Sequence, residues 1–260
     1  FDDHLSWDTL GLEFNDTENR LTQNTVVRGL VTGSMTKVGD GSWIHSVNYY
    51  DDKYRTIQSR STNHLGGTDV VTDYHDFIGQ VNRTITTHSS SDTTYSITRS
   101  FKYDHAGRLL SSYHKMASAS DSTLIAENIY NELGELVEKY LHDGEQSLYY
   151  NYNIRGWLRS MNNDLFGMDL HYDTNPLDGS NVRYNGNISA MEWTDWDAGG
   201  TGTTERGYNF GYDKLNRLTA ANHYENGSLT NRFGVQGLDY DLNGNIKSLV
   251  RNGESGVGID

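Results

Sequence analysis

The stretch from Phe101 to His114, FKYDHAGRLLSSYH, is centred on Tyr103, Asp104, Gly107, Arg108 and Leu109. An aromatic residue, an acid, a glycine and a base follow one another at fixed spacing. An Asp or Asn side chain can bond the backbone two residues on and so start a turn. A glycine three positions later tolerates the positive φ that crowds a Cβ. The flanking residues alternate or are rich in Thr, Ser and Tyr, as in Tyr95-Ser96-Ile97-Thr98 and Tyr208-Asn209-Phe210-Gly211-Tyr212, which is a strand pattern. The stretch therefore predicts a strand, a turn and a return strand. The arginine slot is expected to point outward and the leucine slot to face the core.

The same pattern recurs along the chain. Tyr50-Asp51 precedes Arg55 and Ile57 in a looser copy, and His75-Asp76 precedes Gly79-Gln80-Val81. Tyr130-Asn131 leads to Gly134-Glu135-Leu136, and Tyr152-Asn153 to Gly156-Trp157-Leu158. Tyr212-Asp213 leads to Asn216-Arg217-Leu218, and Tyr240-Asp241 to Gly244-Asn245-Ile246. A degenerate copy keeps Gly186-Asn187-Ile188 with Val182 in the tyrosine slot. Successive tyrosine slots are separated by 25, 28, 27, 22, 30, 30 and 28 residues, too regular a series for chance. One hairpin is unstable alone, whereas stacked neighbours bury a continuous face. The expected fold is all-β: stacked hairpin repeats forming a spiralling sheet or part of a hollow β-shell. The repeat region is placed at 31–260, with 1–30 as a cap, a plug or the tail of a preceding segment.

Composition narrows the function. The 260 residues carry a formal charge of −14, and an acidic surface repels phosphate backbones, so nucleic acid is not an expected partner. Eighteen tyrosines supply ring surface for a core that is poor in leucine. The absence of cysteine excludes disulfides and thiol catalysis. With a single proline, Pro176, turns must rely on Gly, Asn and Asp. No apolar run has the roughly 18 residues of a membrane span, and no leader is recognisable. The start at Phe1 and the end in a glycine-rich turn suggest an internal piece of a longer protein, with any signal peptide outside it.

Other groupings were weighed against the repeat. Glu192-Trp193-Thr194-Asp195-Trp196-Asp197 is the densest acid–aromatic cluster. Trp193, Asp195, Trp196 and Asp197 are candidate glycan contacts, and the carboxylates a candidate calcium site. The plainer reading packs Trp193 inward and makes 195–205 an inserted flexible loop, given Gly199, Gly200 and Gly202. His64, His88, His114, His142 and His223 recur after the leucine slot at unequal offsets, which suits strand positions better than a metal ladder. Gly66-Gly67 lies between strand-like segments rather than before a helix, so it does not suggest a phosphate loop. Neither a Gly-x-Ser-x-Gly nor a His-Glu-x-x-His motif occurs. Residues 118–127 are the one candidate for a short helix.

Tyr-Asp-x-x-Gly-Arg-Leu resembles the signature of the RHS, or YD-repeat, family, over about residues 31–251. The stretches from Val47 to Val71 and from Arg183 to Trp193 resemble, in particular, the large secreted RHS proteins of Bacteroidetes-type bacteria. The resemblance implies a long β-ribbon that spirals into a hollow shell. In several members the shell encloses a C-terminal toxin. In others, and in animal teneurins, the repeats lie on extracellular surfaces and take part in adhesion. Toxin-bearing members close their shell with an Asp-Pro-containing core that cleaves itself. This chain has no Asp-Pro, and Asn175-Pro176-Leu177-Asp178-Gly179 has the wrong order, so no protease residues carry over.

The expected function is the non-catalytic wall of a secreted or cell-surface shell around a cargo polypeptide, without cofactor or metal. The expected partner is the remainder of the same polypeptide. The alternative is a surface adhesion or glycan-binding module. A two-carboxylate carbohydrate enzyme is disfavoured, because similar acids spread along a repeat do not single out one acid–base pair.

Overall fold

The computed structural model describes residues 10–39, 41–196, 202–256 and 258–259, with backbone alone at 195, 196, 202, 203, 258 and 259. The chain is all-β, and the 19 strands among the described residues follow one another in an antiparallel series. The candidate helix at 118–127 does not form: 118–122 turns and Thr123–Tyr130 is a strand. Leu124, Ala126, Asn128 and Tyr130 alternate with the more exposed Ile125, Glu127 and Ile129, the period of a strand rather than of a helix. Contacts divide the chain into two units, 1–128 with 141–143, and 129–140 with 144–260.

In the first unit β1 (Gly33–Lys37), β2 (Trp43–Tyr50), β3 (Thr56–Thr62), β4 (Thr68–His75), β5 (Val81–Ser89), β6 (Thr94–Tyr103), β7 (Leu109–Met116) and β8 (Thr123–Tyr130) pair in chain order. The described residues before β1, 10–32, form no strand, and part of this segment lies on the sheet. Leu12, Val47, Tyr49 and Ile57 form a buried cluster against which Leu10, Phe14 and Leu21 pack. Polar bonds hold the segment in place. Buried Gln58 receives the Asn15 N–H at 3.1 Å and donates to the Asn15 carbonyl at 2.7 Å and to Thr72 Oγ1 at 2.9 Å. Tyr49 donates to the Leu12 carbonyl at 2.6 Å, and Tyr74 donates to Asp16 Oδ1 at 2.7 Å. Each such bond contributes about 1 kcal/mol net, and breaking one partner of a buried pair costs more.

In chain order there follows β9 (Leu136–Leu141), whose last residue falls, with most of the 3-10 turn at His142–Gly144, in the first unit. Then, in the second unit, come β10 (Gln146–Tyr152), β11 (Leu158–Asn162), β12 (Phe166–His171), β13 (Ala190–Trp196), β14 (Gly202–Tyr212) and β15 (Leu218–Glu225). β16 (Ser228–Leu229) and β17 (Val235–Tyr240) both pair with β15, and β18 (Ile246–Asn252) and β19 (Gly258–Ile259) complete the series. Here too an irregular segment covers sheet. Residues 173–182, inserted between β12 and β13, bring Leu177 against Gly207 and Asp178 onto the buried Asn209 side chain. Ser189 Oγ donates to the Thr174 carbonyl at 2.5 Å, and Asn175 Nδ2 to the Ser180 carbonyl at 2.6 Å. Much of what is buried in both units is polar, including Gln58, Thr72, Ser111, Ser160, Ser189, Asn209 and His223.

Candidate functional site

The recurring turn is the site that the sequence singles out, and its geometry is nearly identical from copy to copy. Tyr103 pairs with Leu109, and the register then shifts by one residue, so that Lys102 faces Ser111. The same shift follows the pairs Tyr50–Thr56, His75–Val81, Tyr152–Leu158, Tyr212–Leu218 and Tyr240–Ile246. Such a bulge re-aims a side chain next to the turn. In the looser first copy the leucine slot is therefore Thr56, and Ile57 is the bulged residue, buried in the core.

In four of the turns the acid bonds two backbone N–H groups and the slot side chain. Asp104 Oδ1 accepts the N–H groups of Ala106 and Arg108 at 2.9 Å each, while Oδ2 accepts Arg108 Nε at 2.6 Å. Asp51 does the same with Lys53 and Arg55, and Asp213 with Leu215 and Arg217. Asp241 bonds the Asn243 and Asn245 N–H groups and the Asn245 side chain. Asp76 takes the Gln80 N–H at 2.8 Å. Asn131 keeps the scheme with Glu135, and Asn153 accepts from the N–H groups of Arg155 and Trp157. The Arg108 backbone N–H holds the Asp104 carboxyl below the usual range, with the guanidinium adding to the effect. Asp213 is lowered in the same way, by the Arg217 N–H first. For Asp51, burial pushes upward, but the bonds from Arg55 and Lys53 outweigh it and leave the carboxyl lowered. Gly79, Gly107, Gly134, Gly156, Gly186 and Gly244 all have positive φ. Asn216 fills that slot at φ 63, and Tyr54 does so at φ 61.

The arginine slot does not simply point outward. It folds back onto its own acid and lies against the next turn. A Cβ on Gly79 would come within 3.3 Å of Arg55 Nη1, one on Gly107 within 2.9 Å of Gln80 Nε2, and one on Gly156 within 3.3 Å of Glu135 Oε1. A Cβ on Gly186 would meet the Trp157 ring at 3.2 Å. The glycine thus serves twice, for its φ and for the approach of the preceding slot. The tyrosine makes the second link. Tyr103 donates to the Val81 carbonyl at 2.8 Å, Tyr152 to Leu136 at 2.9 Å, Tyr212 to Ile188 at 2.9 Å and Tyr240 to Leu218 at 2.7 Å. Each acceptor is the leucine slot of the preceding copy. Arg217 also lies over the Tyr240 ring at 4.4 Å, and Arg183 over Tyr212 at 5.2 Å.

Three members of this ladder escaped the spacing argument. Tyr50 donates to the Val31 carbonyl at 2.7 Å, two residues beyond the positive-φ Gly29, so the ladder begins before the first recognised copy. The tyrosine that bonds the Leu158 carbonyl, at 2.8 Å, is Tyr172 rather than anything at Val182. The insertion after Tyr172 displaces it from the expected spacing, and Arg183 N–H returns to the Tyr172 carbonyl at 2.6 Å. Asn63-His64-Leu65-Gly66-Gly67 builds the same turn at the opposite end of a hairpin, with Asn63 Oδ1 accepting from Leu65 and Gly67. Gly67 has its own reason: a Cβ there would lie 2.0 Å from the Ser89 carbonyl oxygen.

The acid–aromatic cluster is divided by the strand. Glu192 is bonded to His171 Nε2 at 2.8 Å, and Trp193 stacks on Tyr208 with ring centres 5.8 Å apart. Asp195 and Trp196 continue β13, and β14 begins at Gly202, paired with Trp196, so 195–196 and 202–205 are strand, while the rest of the expected loop lies outside the described residues. Asp197 lies outside the described residues. Among the histidines, His88 bonds Asp69, and His223 bonds Thr230 Oγ1 at 2.7 Å. Burial lowers His223, which sits among the rings of Trp193, Tyr208 and Phe233. Among the described residues, no three His, Cys, Asp or Glu side chains gather at one point as metal ligands would.

No family model matches the chain, and no curated protein matches it. Similar solved structures include a crystal structure of TcdB2-TccC3 without its hypervariable C-terminal region, 13% identical with a TM-score of 0.35 over 80% of this chain and 13% of that one. A TcdB2-TccC3-Cdc42 structure is 10% identical, with a TM-score of 0.32 over 84% of this chain and 18% of that one. The Photorhabdus luminescens Tc holotoxin pore carrying a TccC3 mutation is 13% identical, with a TM-score of 0.21 over 81% of this chain and 15% of that one. The chain spans less than a fifth of the length of each. No helix among the described residues is long and apolar enough to cross a membrane.

Proposed function

We propose that this chain is a non-catalytic wall segment of an RHS-type repeat shell, part of a larger secreted or cell-surface protein that encloses a cargo polypeptide, a toxin. The reading rests on one observation above all: the motif's recurring chemistry is consumed in building each turn and joining it to its neighbour. The turn aspartates Asp51, Asp104, Asp213 and Asp241 are each bonded by two backbone N–H groups and by the slot side chain. A group held this way lacks the free proton-transfer partner that general acid–base work requires. The tyrosine hydroxyls are likewise spent on carbonyls of the preceding copy.

The test is limited proteolysis of the native polypeptide that contains this chain. A wall predicts a fragment outside the repeats that resists protease while the repeats are folded and is cut once they are unfolded. If every other segment is cut as fast as a free peptide under native conditions, the enclosure reading fails.

A further inference from the structure

In the repeat that begins at residue 75, histidine stands in the tyrosine slot and pairs with Val81 as the tyrosines pair with their leucine slots. An imidazole is shorter than a phenol. Its Nδ1 is buried and has no hydrogen-bond partner among the described residues. Beside it lies a cavity of about 640 Å³, walled by His75, by Asp51, Asp52, Arg55 and Ile57 of the preceding turn, and by residues 20–25. A second cavity of about 380 Å³ touches His75 from the side of Tyr74 and Arg83. Volumes of roughly 300–1,000 Å³ suit small ligands.

One wall repeats what lies against a phenol elsewhere in the chain. Arg55, held by Asp51, occupies the same slot as Arg217, which is held by Asp213 and lies over the Tyr240 ring. The Arg55 guanidinium is therefore in place for an aromatic face, and a guanidinium over a ring is attractive. Gln23, Asp52 and Thr22 add polar groups at the wall contributed by the N-terminal segment and the turn. We propose that this cavity binds a phenol group supplied from elsewhere, the side chain of a tyrosine in another stretch of polypeptide. The incoming ring stands in for the tyrosine that this repeat lacks.

The experiment is titration of the chain with N-acetyl-L-tyrosinamide, p-cresol and N-acetyl-L-leucinamide, followed by calorimetry and by the resonances of His75. Saturable binding of the tyrosine derivative, at least tenfold tighter than the leucine derivative, is expected. Equal affinity for p-cresol would make the phenol itself the recognised group. Tighter binding of the tyrosine derivative would add its peptide groups to the contact. Either result supports the site. Equal or absent binding of the tyrosine and leucine derivatives overturns it. His75→Tyr supplies the ring internally, so it should raise the melting temperature and weaken binding at least tenfold. Undiminished binding by a folded His75→Tyr variant would also overturn the proposal. Should that variant not fold, the three-ligand comparison on the unaltered chain decides.

Discussion

At the scale of single residues, the glycine slot carries two constraints that can be separated by mutation. Gly107 has φ 82, and a Cβ there would sit 2.9 Å from Gln80 Nε2. The backbone conformation alone costs an L-residue about 1–2 kcal/mol. Gln80 can yield, since the contact is the end of a flexible side chain. Gly107→Val should therefore lose about 2 kcal/mol or more, because branching at Cβ adds crowding at positive φ. Tyr54 offers the converse. It holds the same slot at φ 61 with its side chain largely exposed, so Tyr54→Gly should gain about 1 kcal/mol. Chemical denaturation of the two variants checks both signs. A Gly107→Val variant as stable as the parent would refute the turn geometry. The sequence revealed the conformational demand at Gly107 because Asn216 substitutes there. The close approach of Gln80 was not legible, since nothing in the local pattern says which neighbour the slot will face.

At the scale of the hairpin, the two glycines at 66 and 67 divide the same two roles between them. Gly66 has φ 73 and open space around its Cα, whereas a Cβ on Gly67 would strike backbone of Ser89. Gly66→Asn should cost less than about 1 kcal/mol, because Asn tolerates this region. Gly67→Ala must push two backbones apart and should cost more than about 2 kcal/mol. Thermal melts of the pair distinguish them, and equal losses would refute the assignment. Strand positions, turn residues and the tyrosine slot could all be read from alternation and turn chemistry. Tyr172 could not, because an insertion broke the spacing that identified the others. The same is true of the hairpin at Asn63, which lacks a tyrosine. The strand at Thr123–Tyr130 was confused with a helix, because short mixed segments carry little periodicity.

At the scale of the whole chain, the aspartates and tyrosines set opposite limits on pH. Asp16, Asp51, Asp104, Asp213 and Asp241 are all held below their ordinary range. A depressed carboxyl stabilises the fold above its unfolded value, about pH 4, and that stability is lost as the pH falls through the folded value. Burial raises Tyr103, Tyr152, Tyr172 and Tyr212. Their contribution is complete below the unfolded value, about pH 10, and is lost as the pH rises through the folded one. Far-ultraviolet circular dichroism against pH should show a broad plateau with losses below about pH 4 and above about pH 10. Asp104→Asn should soften the acid limb, since Asn131 and Asn153 build the same turn without charge. An unchanged acid limb in variants neutralised at Asp51, Asp104 and Asp213 together would refute the link. Little of the packing at this scale was visible beforehand. Residues 10–24 do not match the repeat, and what they rest on, through Gln58, Tyr49, Tyr74 and the cluster around Leu12, has no signature in their local sequence.

Six hydroxyl bonds of the ladder run one way. Tyr50, Tyr103, Tyr152, Tyr172, Tyr212 and Tyr240 each reach back to a carbonyl nearer the N-terminus. A polypeptide leaving a ribosome or a secretion channel N-terminus first would therefore present these six acceptors before their donors are made. Each of these hairpins would find a finished template waiting, whereas Tyr208, which donates to the Phe233 carbonyl, would wait for a partner still to come.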